Sequence, residues 1–278
     1  MEVFEMTNQL FINNEFIESN SNETMDMINP ATGEKIDTIT FATKDEVNQA
    51  IEKSKQAQLE WEKIPQPTRA EHVKLLIPLF EQNKDELAQL YVKDQGKTLA
   101  EAQGEIDKSI QFIDYMTSLS MSNKGEVLQN SVENETIQLT KKPIGVTAGI
   151  VPWNAPILVL LRKVIPAIVT GCSVIIKPSE ETTLLTLRLA QLFKASTIPA
   201  GLVQIVPGTG ETVGTQLARH KDIQLISLTG SMRAGKAVFE NAASTVKKVN
   251  LELGGNAPVI VTPNANICLL YTSDAADE

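Results

Sequence analysis

The second half of the chain alternates short runs of β-branched residues with longer amphipathic segments. Strands are predicted over residues 146–151, 173–176, 203–206, 225–229 and 249–253. Helices are predicted between them over residues 157–170, 182–195, 211–220 and 234–243. Alternation of this kind is typical of a parallel sheet covered by helices on both faces. The pattern therefore predicts an α/β fold with a doubly wound parallel sheet.

The first half of the chain has a different pattern. Antiparallel strand pairs are predicted over residues 10–17 and 25–41. Helices are predicted over residues 43–60, 68–92 and 98–121. Residues 126–142 alternate apolar and polar side chains about a polar turn, which predicts a hairpin. On its residues alone, this hairpin is either a surface feature or an arm that pairs with another subunit.

Composition and charge narrow the class of protein. The 278 residues are 42% apolar and carry a net charge of -9, which disfavours binding to nucleic acid or to anionic membranes. Residues 1–7 lack the basic start of a secretory signal, and the most apolar run ends at Arg162 and Lys163, too soon to span a bilayer. The two cysteines, Cys172 and Cys268, indicate neither a disulfide framework nor a metal site. We expect a soluble, cytoplasmic protein.

Polar residues follow the second strand of the parallel series, at Lys177, Ser179 and Glu180. Ligands of parallel sheets bind beyond the carboxyl ends of the strands. A carboxylate can accept hydrogen bonds from both hydroxyls of a ribose, and a lysine can donate to them. Because Glu180 would repel a 2′-phosphate, these residues favour NAD over NADP. The alternative is that Ser179 and Glu180 only begin a helix.

Glycine-rich turns follow the next two strands. The glycines and the one serine of these turns are Gly208, Gly210, Gly214, Gly230, Ser231 and Gly235. Such turns let a ligand approach the backbone, and the free N–H groups at a helix N-terminus attract phosphate. Two adjacent turns favour a ligand with a pyrophosphate, although a turn that simply leads into a helix also explains them.

Two residues at strand ends are candidates for catalysis. Asn154 lies between Pro152 and Pro156, so its amide is held in place and could stabilise an oxyanion. Glu252 lies at the end of the last strand between apolar neighbours and is a candidate general base. Taken alone, Glu252 is explained more simply as a solvated charge.

Five motifs occur in an order and spacing that identify a family. They are Val151-Pro152-Trp153-Asn154, Lys177-Pro178-Ser179-Glu180, Val206-Pro207-Gly208-x-Gly210, Leu228-Thr229-Gly230-Ser231 and Leu251-Glu252-Leu253-Gly254-Gly255. The chain resembles the N-terminal, cofactor-binding part of the NAD(P)-dependent aldehyde dehydrogenase superfamily. Residues 112–116, 125–129 and 210–214 are most similar to its lactaldehyde and glycolaldehyde dehydrogenase branch.

The resemblance implies a Rossmann-like fold and a homodimer or homotetramer that oxidises a small aldehyde to its acid with NAD. A cysteine thiolate would form a thiohemiacetal and then a thioester, with Asn154 as oxyanion donor and Glu252 as general base. The cofactor residues that it implies are Ile150, Val151, Pro152, Trp153, Lys177, Ser179, Glu180, Gly210, Gly214, Thr229, Gly230, Ser231, Gly235, Leu253 and Gly254.

The resemblance also divides the chain. Residues 1–122 and 144–255 would form the NAD-binding domain, and residues 123–143 an oligomerisation hairpin. Residues 256–267 would begin a catalytic domain that is otherwise missing, and residues 268–278 do not resemble the family.

Two departures from the family affect the prediction of function. Ala155 stands where the family usually has phenylalanine at the substrate entrance, which weakens any assignment of substrate. Cys268 has a sequence context unlike that of the family's nucleophile, which is expected beyond the end of this chain. The chain is therefore predicted to be an inactive fragment. The alternatives are a fragment of a succinate-semialdehyde or aromatic-aldehyde dehydrogenase, or a non-catalytic dinucleotide-binding module.

Overall fold

The structure is a computed structural model of the chain, and it describes residues 10–268. Two antiparallel strand pairs come first: β1 (Leu10–Ile12) with β2 (Glu15–Ile17), and β3 (Thr24–Ile28) with β4 (Lys35–Thr40). The helices that follow are α1 (Lys44–Trp61), α2 (Gln66–Lys74), α3 (Leu76–Gln82), α4 (Lys84–Gln95) and α5 (Leu99–Ser120). The predicted hairpin is present as β5 (Glu126–Gln129) and β6 (Thr136–Leu139).

From residue 146 the chain alternates strand and helix, as its hydrophobic pattern predicts. The strands are β7 (Val146–Ile150), β8 (Ser173–Lys177), β9 (Val203–Ile205), β10 (Ile223–Gly230) and β11 (Lys248–Leu253). The helices between them are α6 (Pro156–Val169), α7 (Thr183–Ala195), α8 (Thr215–Arg219) and α9 (Met232–Ala242). A π-helical turn at Gly210–Gly214 precedes α8.

The main sheet has the strand order β11-β10-β7-β8-β9-β1-β2. The strands from β7 to β11 are parallel, and β1 and β2 extend the sheet as an antiparallel edge. The chain builds outward from β7 through β8 to β9, then crosses back to place β10 on the other side of β7. The strand order therefore reverses between β7 and β10, which is where parallel sheets of this kind bind ligands.

Apolar side chains cover both faces of the sheet. One cluster joins the sheet to α6, α7 and the N-terminal helices from α2 to α5, and it includes the fully buried Phe11, Trp61 and Ile176. The other joins the opposite face to α1, α8 and α9 through residues such as Ile51 and Ile226. The α/β fold and its doubly wound parallel sheet are therefore confirmed.

Two predicted helices differ in detail from those observed. The helix predicted over residues 68–92 is three helices, α2, α3 and α4. Pro78 cannot donate a backbone hydrogen bond, and Asn83 adopts a non-helical φ of -105° between α3 and α4. Asn83 is the C-cap residue of α3, and its side-chain amide donates to the carbonyl of Leu79 at 2.8 Å. The helix predicted over residues 211–220 is shortened to α8, because the π-helical turn takes up its start.

The hairpin of β5 and β6 carries exposed apolar residues. Val127, Leu128, Ile137 and Leu139 are all exposed on it. Between residues 10 and 268, no helix has the length and the apolar character that crossing a bilayer requires. Of the tail predicted to differ from the family, residues 269–278 lie outside the described residues.

Candidate functional site

A cavity of about 940 Å³ lies beyond the carboxyl ends of the parallel strands, at the point where the strand order reverses. Every catalytic or cofactor residue predicted from the sequence lines this cavity, with the exception of Gly235. Residues far apart in the chain meet there because the five parallel strands all end at the same edge. The cavity is within the size range of small-molecule and cofactor sites.

Lys177 and Glu180 form an ion pair on the wall of the cavity. Lys177 is the last residue of β8 and is only 3% exposed. Its Nζ donates to the carbonyl of Pro178 at 2.8 Å and lies 3.2 Å from Glu180 Oε2. Burial lowers the pKa of Lys177, and the nearby charges of Glu180 and Glu211 oppose that shift. The pair presents one buried cation and one half-buried carboxylate to the cavity.

The turn after β9 is shaped by its glycines and threonines. Gly208 has a φ of +156°, and a Cβ there would lie 2.3 Å from Val213 Cγ2, so the packing of the turn requires glycine. Thr209 Oγ1 accepts a hydrogen bond from Thr212 N at 3.1 Å. Gly210 and Gly214 line the cavity, whereas Gly208 does not. The glycines of this turn thus have two roles: Gly208 is required by packing, and Gly210 and Gly214 line the cavity without a side chain.

The turn after β10 leads into α9. Ser231 is the N-cap of α9, and its Oγ accepts from Ala234 N at 3.2 Å. Gly230 and Ser231 line the cavity. Gly235 instead lies beneath β11, where a Cβ would come within 2.6 Å of Leu253 Cδ2. Gly235 is therefore a packing residue behind the wall of the cavity and does not itself line it.

Asn154 and Glu252 are exposed on the walls of the same cavity. Asn154 lies on the loop between β7 and α6, whereas Glu252 lies on β11, where it pairs in register with Thr229 of β10. Leu251 and Leu253 pack against the apolar cluster on either side of Glu252, and Leu253 also lines the cavity. Glu252 is therefore open to solvent in the described chain, despite its apolar neighbours in sequence.

Lys163, which was not among the predicted site residues, lies close enough to Glu252 for their charges to interact. It projects from α6, and its Nζ donates to Ser227 Oγ and to Thr229 Oγ1, each at 3.0 Å. Burial lowers the pKa of Lys163 to about 8, and the charge of Glu252 opposes the shift. A cation in the middle of an apolar helix is the sequence signal that could have identified it. Gly149 makes room for it, since a Cβ there would lie 3.0 Å from Lys163 Cδ.

Further charged residues line the cavity without having been predicted. They are Glu181, Glu211 and Arg233. The two glutamates lie in the turns that carry Glu180 and Gly210, so the approach to Lys177 is acidic. Ala155 does not line the cavity, although its position in the family suggested a role in shaping the pocket. It is the N-cap residue of α6.

Comparison with known proteins decides the family. The aldehyde dehydrogenase family matches residues 16–273, which is most of the chain. The chain belongs to this family. The match continues past Cys268, where the sequence alone predicted that the resemblance ends. Since aldehyde dehydrogenases are oxidoreductases, the predicted class of protein is confirmed.

Named relatives place this aldehyde dehydrogenase chain among enzymes with different substrates. It is 36% identical over 259 residues to the succinate-semialdehyde dehydrogenase [NADP(+)] of Escherichia coli (strain K12), covering 93% of this chain and 54% of the relative. It is 35% identical to the lactaldehyde dehydrogenase of the same strain, covering 93% and 54%. The chain spans about half the length of the curated relatives that it matches.

A solved structure supports the fold of this aldehyde dehydrogenase chain. It is similar, with a TM-score of 0.87 and 33% identity, to the crystal structure of betaine aldehyde dehydrogenase from Staphylococcus aureus in complex with NAD+. The match covers 90% of this chain and 50% of that one.

Proposed function

We propose that this chain is the cofactor-binding part of an NAD-dependent aldehyde dehydrogenase that oxidises a small aldehyde to its acid. The observation that carries the proposal is the cavity itself. One opening brings together an ion pair that can recognise a diol, two glycine-rich turns, the side-chain amide of Asn154 and the carboxylate of Glu252. Within the family, these are the groups needed to bind a nicotinamide dinucleotide and to act on a carbonyl group beside it.

The residues of the cavity fit a dinucleotide at both ends. Lys177 and Glu180 hold the adenine-side ribose, and Gly210, Gly214, Gly230 and Ser231 border the path of the phosphates. Ile150, Val151, Pro152, Trp153, Leu253 and Gly254 contact the rest of the cofactor. Glu180 and Glu211 lie close enough to Lys177 for their charges to act on its pKa. A 2′-phosphate bound there would therefore meet two carboxylates. This acidity supports NAD over NADP, although the succinate-semialdehyde relative is named for NADP(+).

In this proposal the bound nicotinamide supplies the acceptor for a hydride. The side-chain amide of Asn154 donates to the carbonyl oxygen of the aldehyde as that oxygen gains charge. The carboxylate of Glu252 takes a proton from the water that hydrolyses the thioester on the family's nucleophilic cysteine, so that the C–S bond breaks and the acid and the free thiol are released. Cys172 is buried in the core, and neither it nor Cys268 is assigned as the nucleophile.

Cofactor binding by the purified chain tests the proposal. Calorimetric titration with NAD should give saturable binding at one site, and NADP should bind more weakly. Changing Glu180→Gln removes the charged partner of the ribose and should weaken NAD binding by about 1.5 kcal/mol, or roughly tenfold. The same substitution should also reduce the difference in binding affinity between NAD and NADP.

Glu181→Gln is the matched control, because Glu181 carries the same charge on the same turn, lines the same cavity and makes no ion pair with Lys177. Its effect should be small. Absence of NAD binding by the unaltered chain, or equal effects of the two substitutions, would contradict the assignment of the ribose site. A non-catalytic dinucleotide-binding module would also bind NAD saturably, so this titration tests the cofactor site and not the catalytic activity.

The substrate is proposed to be lactaldehyde or glycolaldehyde. The observation that favours a second candidate is the 36% identity to a succinate-semialdehyde dehydrogenase, which is similar to the identity with the lactaldehyde enzyme. In a protein that carries both halves of the family fold, kcat/KM for lactaldehyde should exceed that for succinate semialdehyde. The opposite order would select the second candidate.

Assembly is also part of the proposal. The hairpin over residues 123–143 is proposed to contact another subunit, because Val127 is 71% exposed and is flanked by other exposed apolar residues. Replacing Val127 and Ile137 by lysine should lower the mass measured by light scattering if the hairpin joins subunits. An unchanged mass would leave the hairpin as a surface feature.

A further inference from the structure

We propose that Tyr91, Lys97 and Glu105 form a positioning cluster that fixes the backbone of Asn154 and so directs its side-chain amide into the cavity. The inference rests on the proposed role of Asn154 and extends it to residues of α4, α5 and the loop between them. None of the three lines the cavity. They act through the loop that carries Asn154, and we therefore call them the positioning cluster.

The loop before α6 is not held by a side-chain N-cap. Its N-cap residue is Ala155, which has no side-chain acceptor, and Pro156 at the first helical position has no N–H group. Within residues 10–268 the side-chain amide of Asn154 makes no hydrogen bond. A group that must stabilise an oxyanion has to be held in advance, so its backbone needs support from elsewhere.

The positioning cluster supplies that support from the side of α4 and α5. Lys97 Nζ donates to the backbone carbonyl of Asn154 at 3.1 Å and to Glu105 Oε2 at 3.0 Å. The hydroxyl of Tyr91 lies 2.7 Å from the same carboxylate oxygen and 3.4 Å from the carbonyl of Asn154. Its single proton goes to the shorter contact. Lys97 also sits 5.0 Å from the centroid of the Tyr91 ring, so the ring helps to hold the ammonium over the loop.

Glu105 connects the loop to the helix that follows it. While Oε2 receives Tyr91 and Lys97, Oε1 accepts a hydrogen bond from Leu158 N at 3.2 Å. This is an N–H of the first turn of α6, which Ala155 cannot satisfy. One carboxylate therefore fixes the chain on both sides of the bend at Ala155: directly at Leu158, and through Lys97 at Asn154.

The positioning cluster is largely shielded from solvent. Glu105 is 7% exposed and Lys97 is 21% exposed, so neither charge is well solvated and each depends on the other. Burial, and next the charge of Glu105, raise the pKa of Tyr91, which therefore remains a hydrogen-bond donor at physiological pH. A plain helix cap would need only Glu105 and Leu158, whereas the lysine contact reaches the residue that is proposed to act on the substrate.

The chain provides two built-in reporters for a test. Trp153 is next to Asn154, lines the cavity and is 51% exposed. Trp61 is 1% exposed, and its Nε1 donates to the carbonyl of Ile168 at the opposite end of α6. These are the two tryptophans of the chain. Labelling with 5-fluorotryptophan therefore gives two ¹⁹F resonances, one for the loop and one for the packed core.

The experiment compares the ¹⁹F spectra of the labelled chain and of its variants Lys97→Met and Glu105→Gln. Asp107→Asn is the matched control, because Asp107 is a carboxylate on α5 that pairs with Lys84 at the surface and does not touch the loop. We expect the Trp153 resonance to move or broaden by more than its width in the first two variants and to be unchanged in the control. The Trp61 resonance should stay in place in all three.

Two outcomes would overturn the inference. A Trp153 resonance that is unaffected by Lys97→Met would mean that the lysine does not fix the loop. Joint displacement of the Trp61 resonance in both variants would mean that the positioning cluster supports the fold in general. An NAD titration of the same samples keeps the two proposals apart. Lack of binding by the unaltered chain contradicts the proposed function, whereas the spectra still decide whether the loop is held.

Discussion

Replacing Lys163 by methionine should make the chain more stable at neutral pH, and the advantage should shrink as the pH rises. Lys163 is held in a largely buried position between α6 and the sheet, where its pKa falls from 10.5 to about 8. Burial is the main cause, and the charge of Glu252 compensates it only in part. The folded state thus carries a lysine that would be better solvated in the unfolded chain.

The size of the effect follows from linkage. Between the folded and unfolded pKa values the unfolded chain binds more protons, so stability rises with pH through that window. The pKa difference corresponds to about 3 kcal/mol at neutral pH, of which about 2 kcal/mol should be recovered between about pH 7.5 and about pH 9.5. Loss of the hydrogen bonds to Ser227 and Thr229 offsets part of the gain by about 1 kcal/mol each, but independently of pH.

Urea unfolding at several pH values measures this difference in the free energy of unfolding. Arg162→Met is the matched control, because Arg162 is the adjacent cation on the same helix and is exposed. The difference between Lys163→Met and the unaltered chain should fall by about 2 kcal/mol across the window, while that of the control stays flat. A flat difference for Lys163→Met, or a slope shared with the control, would refute the claim that burial of this charge destabilises the fold.

Two further stability predictions follow from buried groups. Burial raises the pKa of Asp94 to about 7, although Leu185 N donates a hydrogen bond to its carboxylate. In urea unfolding, the free energy of unfolding of Asp94→Asn relative to the unaltered chain should therefore rise by about 3 kcal/mol between about pH 5 and about pH 8. A difference that does not change with pH would contradict this. Gly235→Ala places a Cβ within 2.6 Å of Leu253 and should cost about 1 to 3 kcal/mol, whereas Gly104→Ala, with no atom within 4 Å, should be neutral or gain up to about 1 kcal/mol. Equal thermal shifts for the two alanine variants would show that β11 adjusts freely.

The elements predicted well from the sequence are those whose cause is local. The strands at 146–151 and 173–176 are β-branched runs that end at proline, and α1 begins with a capping box in which Thr43 and Glu46 satisfy each other's backbone N–H groups. The helix over 68–92 was predicted as one element because its apolar pattern continues across Pro78 and Asn83. Periodicity records which face is buried, but it does not record where the backbone hydrogen bonds are interrupted.

In the site, too, the features with a local cause were predicted from the sequence and the features that depend on distant contacts were not. The strand-end motifs were found because parallel strands converge at one edge, which fixes where Lys177 and Glu180 must lie. The exposure of Glu252 agrees with its simplest explanation from the sequence, a solvated charge at a strand end, whereas its place on the cavity wall depends on which face of β11 is covered. Lys163 and Glu105 were missed for a related reason. Their importance arises from contacts with residues more than fifty positions away along the chain, and no local pattern carries that information.

Helix α6 explains why the N-terminal helices belong to the site. Its first turn is held by Glu105, and its last carbonyls accept hydrogen bonds from Trp61 Nε1 at 2.7 Å and from Arg69 Nε at 3.1 Å. These side chains come from α5, α1 and α2. Both ends of the helix that positions Asn154 and carries Lys163 are thus satisfied by elements outside the parallel sheet. Removal of those elements would leave buried polar groups of α6 without partners, a cost of about 1 to 3 kcal/mol for each. The N-terminal helices thus contact both ends of α6, and the division that joins residues 1–122 and 144–255 in one unit stays a prediction.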